Sequence, residues 1–278
     1  VDVTASAWDC TIEAGATLRL GLRLIDGFRE DWATRLMQAR DRAGGLRDFP
    51  DLIRIRLPKP ALEALADADA MRGLGLDRRA ALWQVRGLRD EADLPLFAGQ
   101  PIAVREVPLP VMGKGEHVIA DYQATGLSLK AHPMGFLRAS LAREGALSCA
   151  EAVLRPERAR VRLAGVVLVR QRPGNGNVVF CTIEDETGTA NIVVWASLAE
   201  RFRRAVVGSS LLLVEGQVQR VEVVGAEVPI VHVVAERLED YSFLMTGLTD
   251  AAIGEAPRAR TSGHPRHTKV FPRSRDFQ

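Results

Sequence analysis

Arg160-Val161-Arg162-Leu163-Ala164-Gly165-Val166-Val167-Leu168-Val169-Arg170 is a valine- and leucine-rich run, the composition of a strand packed on a sheet. Downstream, residues 178–184, 189–195, 211–219 and 229–237 repeat the pattern. Pro173-Gly174-Asn175-Gly176-Asn177 reads as a polar loop between the first two runs, and Asp185-Glu186-Thr187-Gly188 as a tight hairpin turn between the next two. Residues 196–206 place Leu198, Phe202 and Val206 on one helical face. Five strands with a helix between the third and fourth is the order of an OB-fold, a partly open barrel whose strand face and first and fourth loops bind oligonucleotides or oligosaccharides. The expected barrel spans residues 158–243.

Upstream the period changes. Trp32, Leu36 and Met37, then Leu62, Leu65, Leu82 and Val85, recur at helical spacing, punctuated by Ala43-Gly44-Gly45 and Leu57-Pro58-Lys59-Pro60. Residues 24–88 are thus expected to be helical. Pro95, Pro101, Pro108 and Pro110 predict an extended linker over 89–115. A helical connector follows over 116–157, with Pro133 opening a helix. The basic stretch 244–278, rich in Pro, Gly, Ser and Arg beyond Asp250, is expected to lack structure. The fold class is α+β and multidomain, a helical region followed by a five-stranded barrel.

With 278 residues and 47% apolar content the chain has enough material for ordinary cores and suggests two domains. Its 37 basic and 35 acidic residues leave a formal charge of +2, so any surface for a polyanion must be local. Only four basic residues are lysine (Lys59, Lys114, Lys130, Lys269). The rest are arginine, which clamps phosphate bidentately and stacks on bases, although a GC-rich genome gives the same bias. Cys10, Cys149 and Cys181 are too few and too scattered for a disulfide framework or a zinc site, and a reducing cytoplasm is the expected setting. No apolar run long enough for a signal peptide or membrane span occurs. The chain starts at Val1 in mid-pattern, which suggests a piece of a longer protein.

In the helical region, Leu24-Ile25-Asp26-Gly27-Phe28-Arg29-Glu30-Asp31 puts a glycine turn before a helix. Such a turn can offer backbone N–H groups to a phosphate, with Arg29, Arg35 and Arg54 to supply charge. More often it only joins two helices. In the barrel, Arg170, Gln171 and Arg172 lead into the first loop, which holds Asn175 and Asn177, and Arg220 opens the fourth. Phe180 and Trp195 read either as platforms for stacked bases or as barrel core. Enzymatic readings fare badly: the histidines are isolated, no Gly-rich phosphate loop follows a strand, and Glu184-Asp185-Glu186 looks like solvated turn carboxylates rather than a metal cluster. Neither a catalytic nor a metal site is expected. Asp93-Leu94-Pro95-Leu96-Phe97 is a short acidic-then-apolar segment that either docks into a partner or folds back on its own domain.

Three long runs carry a resemblance: Thr125-Gly126-Leu127-Ser128-Leu129-Lys130-Ala131-His132-Pro133-Met134, the stretch 164–174, and Thr182-Ile183-Glu184-Asp185-Glu186-Thr187-Gly188. The chain resembles the C-terminal third of bacterial C-family DNA polymerases, and within them the error-prone, damage-inducible branch. Ser274-Arg275-Asp276-Phe277 is similar to that branch's C-terminal end. The resemblance implies tandem helix-hairpin-helix elements on duplex DNA, an OB domain near single-stranded template, and nucleotide insertion opposite damage by the parent enzyme. The first hairpin matches Ile25 to Arg29, adding Gly27 and Phe28 to the expected DNA contacts. The second corresponds to Leu62 through Trp83, where Asp69 stands in place of an expected glycine. Residues 1–23 are the expected tail of a preceding fingers region. Catalysis in the family needs a palm whose aspartates hold Mg2+. No such acidic cluster occurs on adjoining strands here, so no cofactor is expected for this chain. Asp93 to Phe97 looks like a degraded sliding-clamp peptide, with Asp in place of Gln, which implies weak or indirect clamp contact and recruitment through accessory mutagenesis proteins. A protein-interaction adaptor and an RNA-binding module remain the alternatives.

Overall fold

The computed structural model describes residues 1–88, 108–174, 176–222, 229–250 and 275–276. The chain divides into two compact units, residues 1–112 with 120–127 and residues 113–119 with 128–278. Asp93, Leu94, Leu96, Phe97 and Asn175 lie outside the described residues.

The first unit is helical, as its apolar spacing predicts. A hairpin of β1 (Thr11–Glu13) and β2 (Thr17–Arg19) precedes α1 (Glu30–Ala43), α2 (Phe49–Arg54), α3 (Lys59–Asp67) and α4 (Arg78–Gly87). The helix ends follow local chemistry. Gly44 closes α1 in the left-handed conformation, Asp48 caps α2 by accepting from the Asp51 N–H, and Asp77 caps α4 by accepting from that of Ala80. Leu22, Leu36, Leu52, Leu65 and Met71 fill one core together with Val3. Val3 donates its N–H to the Ala70 carbonyl at 2.9 Å. Residues 1–23 therefore pack as part of this helical unit, where the sequence suggested the tail of a preceding region.

The second unit is built on the expected barrel. Its strands are β3 (Arg160–Gln171), β4 (Val178–Asp185), β5 (Gly188–Trp195), β6 (Leu211–Val221) and β7 (Ile230–Asp240). They run in the order β4-β5-β7-β6-β3, and a β3–β4 ladder closes the ring. Gly165 and Gly216 sit where strands crowd. A Cβ at Gly165 would lie 2.8 Å from the Glu184 carbonyl oxygen, and one at Gly216 would collide with that of Val234. The predicted helix between the third and fourth strands is two short ones, α8 (Ala196–Arg201) and α9 (Arg203–Gly208), broken at Phe202.

The preceding residues form α5 (Lys114–Thr125), α6 (Pro133–Arg143) and α7 (Cys149–Leu154). Pro133 opens α6 as predicted, and a Ser148/Glu151 capping box opens α7. The C-terminal stretch departs from expectation. Residues 243–250 form α10 (Phe243–Asp250), which buries Leu244, Met245 and Leu248 against α6 residues such as Met134 and Leu141, and β8 (Arg275–Asp276) pairs parallel to β3.

Candidate nucleic-acid interface

Alternation along β4 sends Val179, Cys181, Ile183 and Asp185 inward and leaves Phe180, Thr182 and Glu184 on the outer face. Phe180 is 37% exposed. On β5, Trp195 is 55% exposed and faces Val178, so the two aromatic rings stand diagonally across the β4–β5 ladder. Large apolar rings left in water beside a nucleic-acid-sized sheet face are what base stacking needs. Both had an alternative reading as barrel core, and burial decides for the surface.

Polar groups fill the same face. The Thr182 hydroxyl donates to Asn191 Oδ1 at 3.2 Å, and the ladder continues from Asn191 to His232 on β7 and from there to Gln219 on β6. The loop after β3 is organised by Arg172, whose Nε donates to the Gly176 carbonyl at 2.9 Å while the side chain stays exposed. Asn177 ends that loop, its carbonyl accepting from the Ala196 N–H at the start of α8. Arg201, Arg203 and Arg204 on α8 and α9 are exposed and form no ion pair among the described residues. Sequence spacing alone did not single these three out, because nothing in a short helix tells which arginines go unneutralised.

Two of the expected barrel arginines are corrections. Arg170 is 3% exposed, with its Nε donating to the Val206 carbonyl at 2.5 Å and its Nη2 to the carbonyl of Ser209. It ties down the end of α9 and is not a surface contact. Arg220 is half-buried, and its Nη2 donates to the Val153 and Arg155 carbonyls at 2.9 and 2.8 Å, closing the C-terminus of α7. Both read as loop arginines because a sequence shows their charge but not the carbonyls that attract it.

Asp185 is a third correction. The turn carboxylate expected in solvent is 3% exposed. It accepts from the Thr187 N–H and hydroxyl, from the Cys149 N–H at 2.7 Å and from Arg138 at 2.5 Å. Burial pushes its pKa up, but the Thr187, Cys149 and Arg138 contacts outweigh burial and hold it below the usual carboxylate range. Glu186 pairs with the same Arg138 at 2.5 Å. His132 caps α6 through Nδ1 and lies 3.7 Å from Glu184, and burial pushes its pKa down.

In the helical unit, Gly27 occupies the left-handed region at φ +70° and is exposed, as a hairpin glycine should be. Phe28, expected on DNA, is buried and packs edge-on against Trp32 at 5.6 Å. Arg29 is exposed but pairs with Asp31 at 2.9 Å, and Arg35 donates to the Ile55 and Arg56 carbonyls at the end of α2. Glu30 and Asp31 already answer the positive end of the α1 dipole, which lowers the attraction for a phosphate there. At the second hairpin Asp69 takes the left-handed conformation at φ +56°, the geometry expected of a glycine, and bonds Arg72 at 2.6 Å. Among the described residues no three His, Cys, Asp or Glu side chains gather to hold a metal ion. No helix among the described residues is long and apolar enough to cross a membrane.

Comparison with known proteins agrees with this geometry. Residues 1–81 match the helix-hairpin-helix motif family and residues 161–240 the OB-fold nucleic acid binding domain family. An error-prone DNA polymerase of Rhodopseudomonas palustris is 44% identical over the whole chain, which covers 28% of that protein. One from a Bradyrhizobium species is 47% identical over 91% of the chain, covering 23% of that protein. The chain therefore spans about a quarter of the length of these relatives. Among solved structures, asparaginyl-tRNA synthetase from Pyrococcus horikoshii is similar at 30% identity over 34% of this chain and 22% of its own, with a TM-score of 0.29. Over its length the chain corresponds to the C-terminal region of error-prone DNA polymerases, with a helix-hairpin-helix match followed by an OB-fold match.

Proposed function

We propose that this chain is the template-handling part of an error-prone DNA polymerase that carries out repair synthesis across damaged DNA, with the barrel face holding single-stranded template. The observation that carries the reading is the pair of solvent-exposed rings, Phe180 and Trp195, on one sheet face, together with the unneutralised Arg201, Arg203 and Arg204 on the helices that follow β5. Rings give sequence-tolerant stacking and the arginines give phosphate attraction. The helical unit contacts duplex backbone through the exposed Gly27 turn, a weaker site because carboxylates surround it.

In this reading nucleotide addition and its metal ions belong to a palm domain outside these 278 residues. Recruitment runs through accessory mutagenesis proteins, with the sliding clamp contacted weakly through Asp93 to Phe97. The setting is the cytoplasm, in keeping with three free cysteines.

The test is fluorescence anisotropy of a labelled single-stranded DNA titrated with the chain at several salt concentrations, with RNA of the same sequence in parallel. Binding that weakens with salt and favours DNA supports template handling. RNA preference would move the reading to an RNA module, and absence of binding at low salt to a protein adaptor.

A further inference from the structure

The outer barrel face carries one transverse row that is polar on four adjacent strands: Thr182 on β4, Asn191 on β5, His232 on β7 and Gln219 on β6, each the registered partner of the next. The neighbouring row, two residues along each strand, contains Phe180, Val193, Val234 and Gln217. Rows are about 7 Å apart along a strand. A base stacked on Phe180 therefore lays its edge over the polar row.

The hydrogen bonds decide what that row offers. Asn191 Oδ1 accepts from the Thr182 hydroxyl on β4, which turns the amide N–H groups away from Thr182 and toward the β7 side. His232 Nδ1 is shielded from solvent with no partner. A shielded N–H without an acceptor is the costlier state, which favours the tautomer with its N–H on Nε2. Two neighbouring side chains thus present adjacent donors.

Resting on the barrel-face reading above, we propose that Asn191 and His232 form a base-selective subsite for single-stranded DNA, taking bases whose edge presents two adjacent acceptors. Guanine does so with O6 and N7, and cytosine with N3 and O2. Adenine pairs its N7 with an N6 donor, and the acceptor which that donor needs, Asn191 Oδ1, is turned toward Thr182 on β4 and away from His232 on β7. Thymine separates its two carbonyls by an N–H donor.

The experiment uses the full chain and thymidine oligomers carrying one central guanine, cytosine or adenine, with an all-thymidine strand as reference. The guanine and cytosine strands are expected to bind about five- to tenfold more tightly than the adenine and thymidine strands. Replacing guanine by 7-deazaguanine should remove most of its advantage. Asn191→Ala and His232→Ala should each bring the four strands to within about twofold of one another, with circular dichroism and melting temperature reporting that the barrel is folded. Equal affinity of the wild-type chain for all four strands, or selectivity kept in both variants, would overturn the subsite and leave the stacking face standing. Loss of all-thymidine binding in folded variants would also overturn it, since the row would then hold backbone rather than bases. A wild-type chain that binds none of the strands would remove the barrel-face reading and the subsite with it.

Discussion

At the scale of single residues the chain separates charge that binds outward from charge that is spent inward. Arg170 lies in the first class by sequence and the second by structure, since its guanidinium satisfies carbonyls at the end of α9. Arg170→Ala is expected to cost about 2–4 kcal/mol of stability, because those carbonyls lose a charged donor in a dry site. Chemical denaturation measures this, and single-strand affinity of the folded variant should stay near wild type. The exposed rings behave in the opposite way. Phe180→Ala and Trp195→Ala should each weaken single-strand binding by about 1–3 kcal/mol, read by anisotropy, with little change in melting temperature. Asp185 supplies the pH dependence. A carboxyl held below its ordinary value stabilises the fold fully above about pH 4, and that contribution is lost as pH falls through the lower folded value. Thermal melts of wild type and Asp185→Asn should therefore differ at neutral pH and converge as pH falls through the lowered carboxyl value.

Elements meet under constraints that a single strand or helix does not reveal. The barrel closes because β3 pairs with β6 along its first half and with β4 along its second, and Gly165 and Gly216 admit the close passages this requires. Gly216→Ala drives a methyl into the Val234 backbone, which cannot step aside as a flexible side chain would. The expected loss is about 1–3 kcal/mol, detectable as a lowered midpoint in urea. The two hairpins of the helical unit show a different constraint. Gly27 and Asp69 both supply left-handed turns, but Glu30, Asp31 and Asp77 stand at the helix starts beside them. Geometry for phosphate contact is present while the local charge opposes it. The C-terminal stretch also acts as an element, with α10 covering apolar surface that the barrel and α6 leave open.

At the scale of the molecule, near-neutral composition fixes how strongly DNA is held. With a formal charge of +2 and only a few unneutralised arginines on the barrel, roughly two to four phosphates can be matched, so the slope of log affinity against log salt should lie between about −1.4 and −3. A steeper slope would mean that the helical unit contributes phosphate contacts that the local carboxylates argue against.

The sequence by itself determined the barrel, its strand order and the helical character of the first unit. Those features rest on local period: every second residue inward in β4 and β5, every third or fourth in α1 and α4, with turn residues between them. It also carried the likeness to the C-terminal region of error-prone DNA polymerases, through long contiguous runs. Only the tertiary structure decided which candidate residues face water. Arg170, Arg220, Phe28 and Asp185 look like surface in one dimension and are engaged inside, while Trp195 and the row through Asn191 and His232 come out. The physical reason is that burial and hydrogen-bond satisfaction are set by partners distant in sequence, such as the α9 carbonyls 36 to 39 residues from Arg170, and no local pattern encodes where those partners arrive.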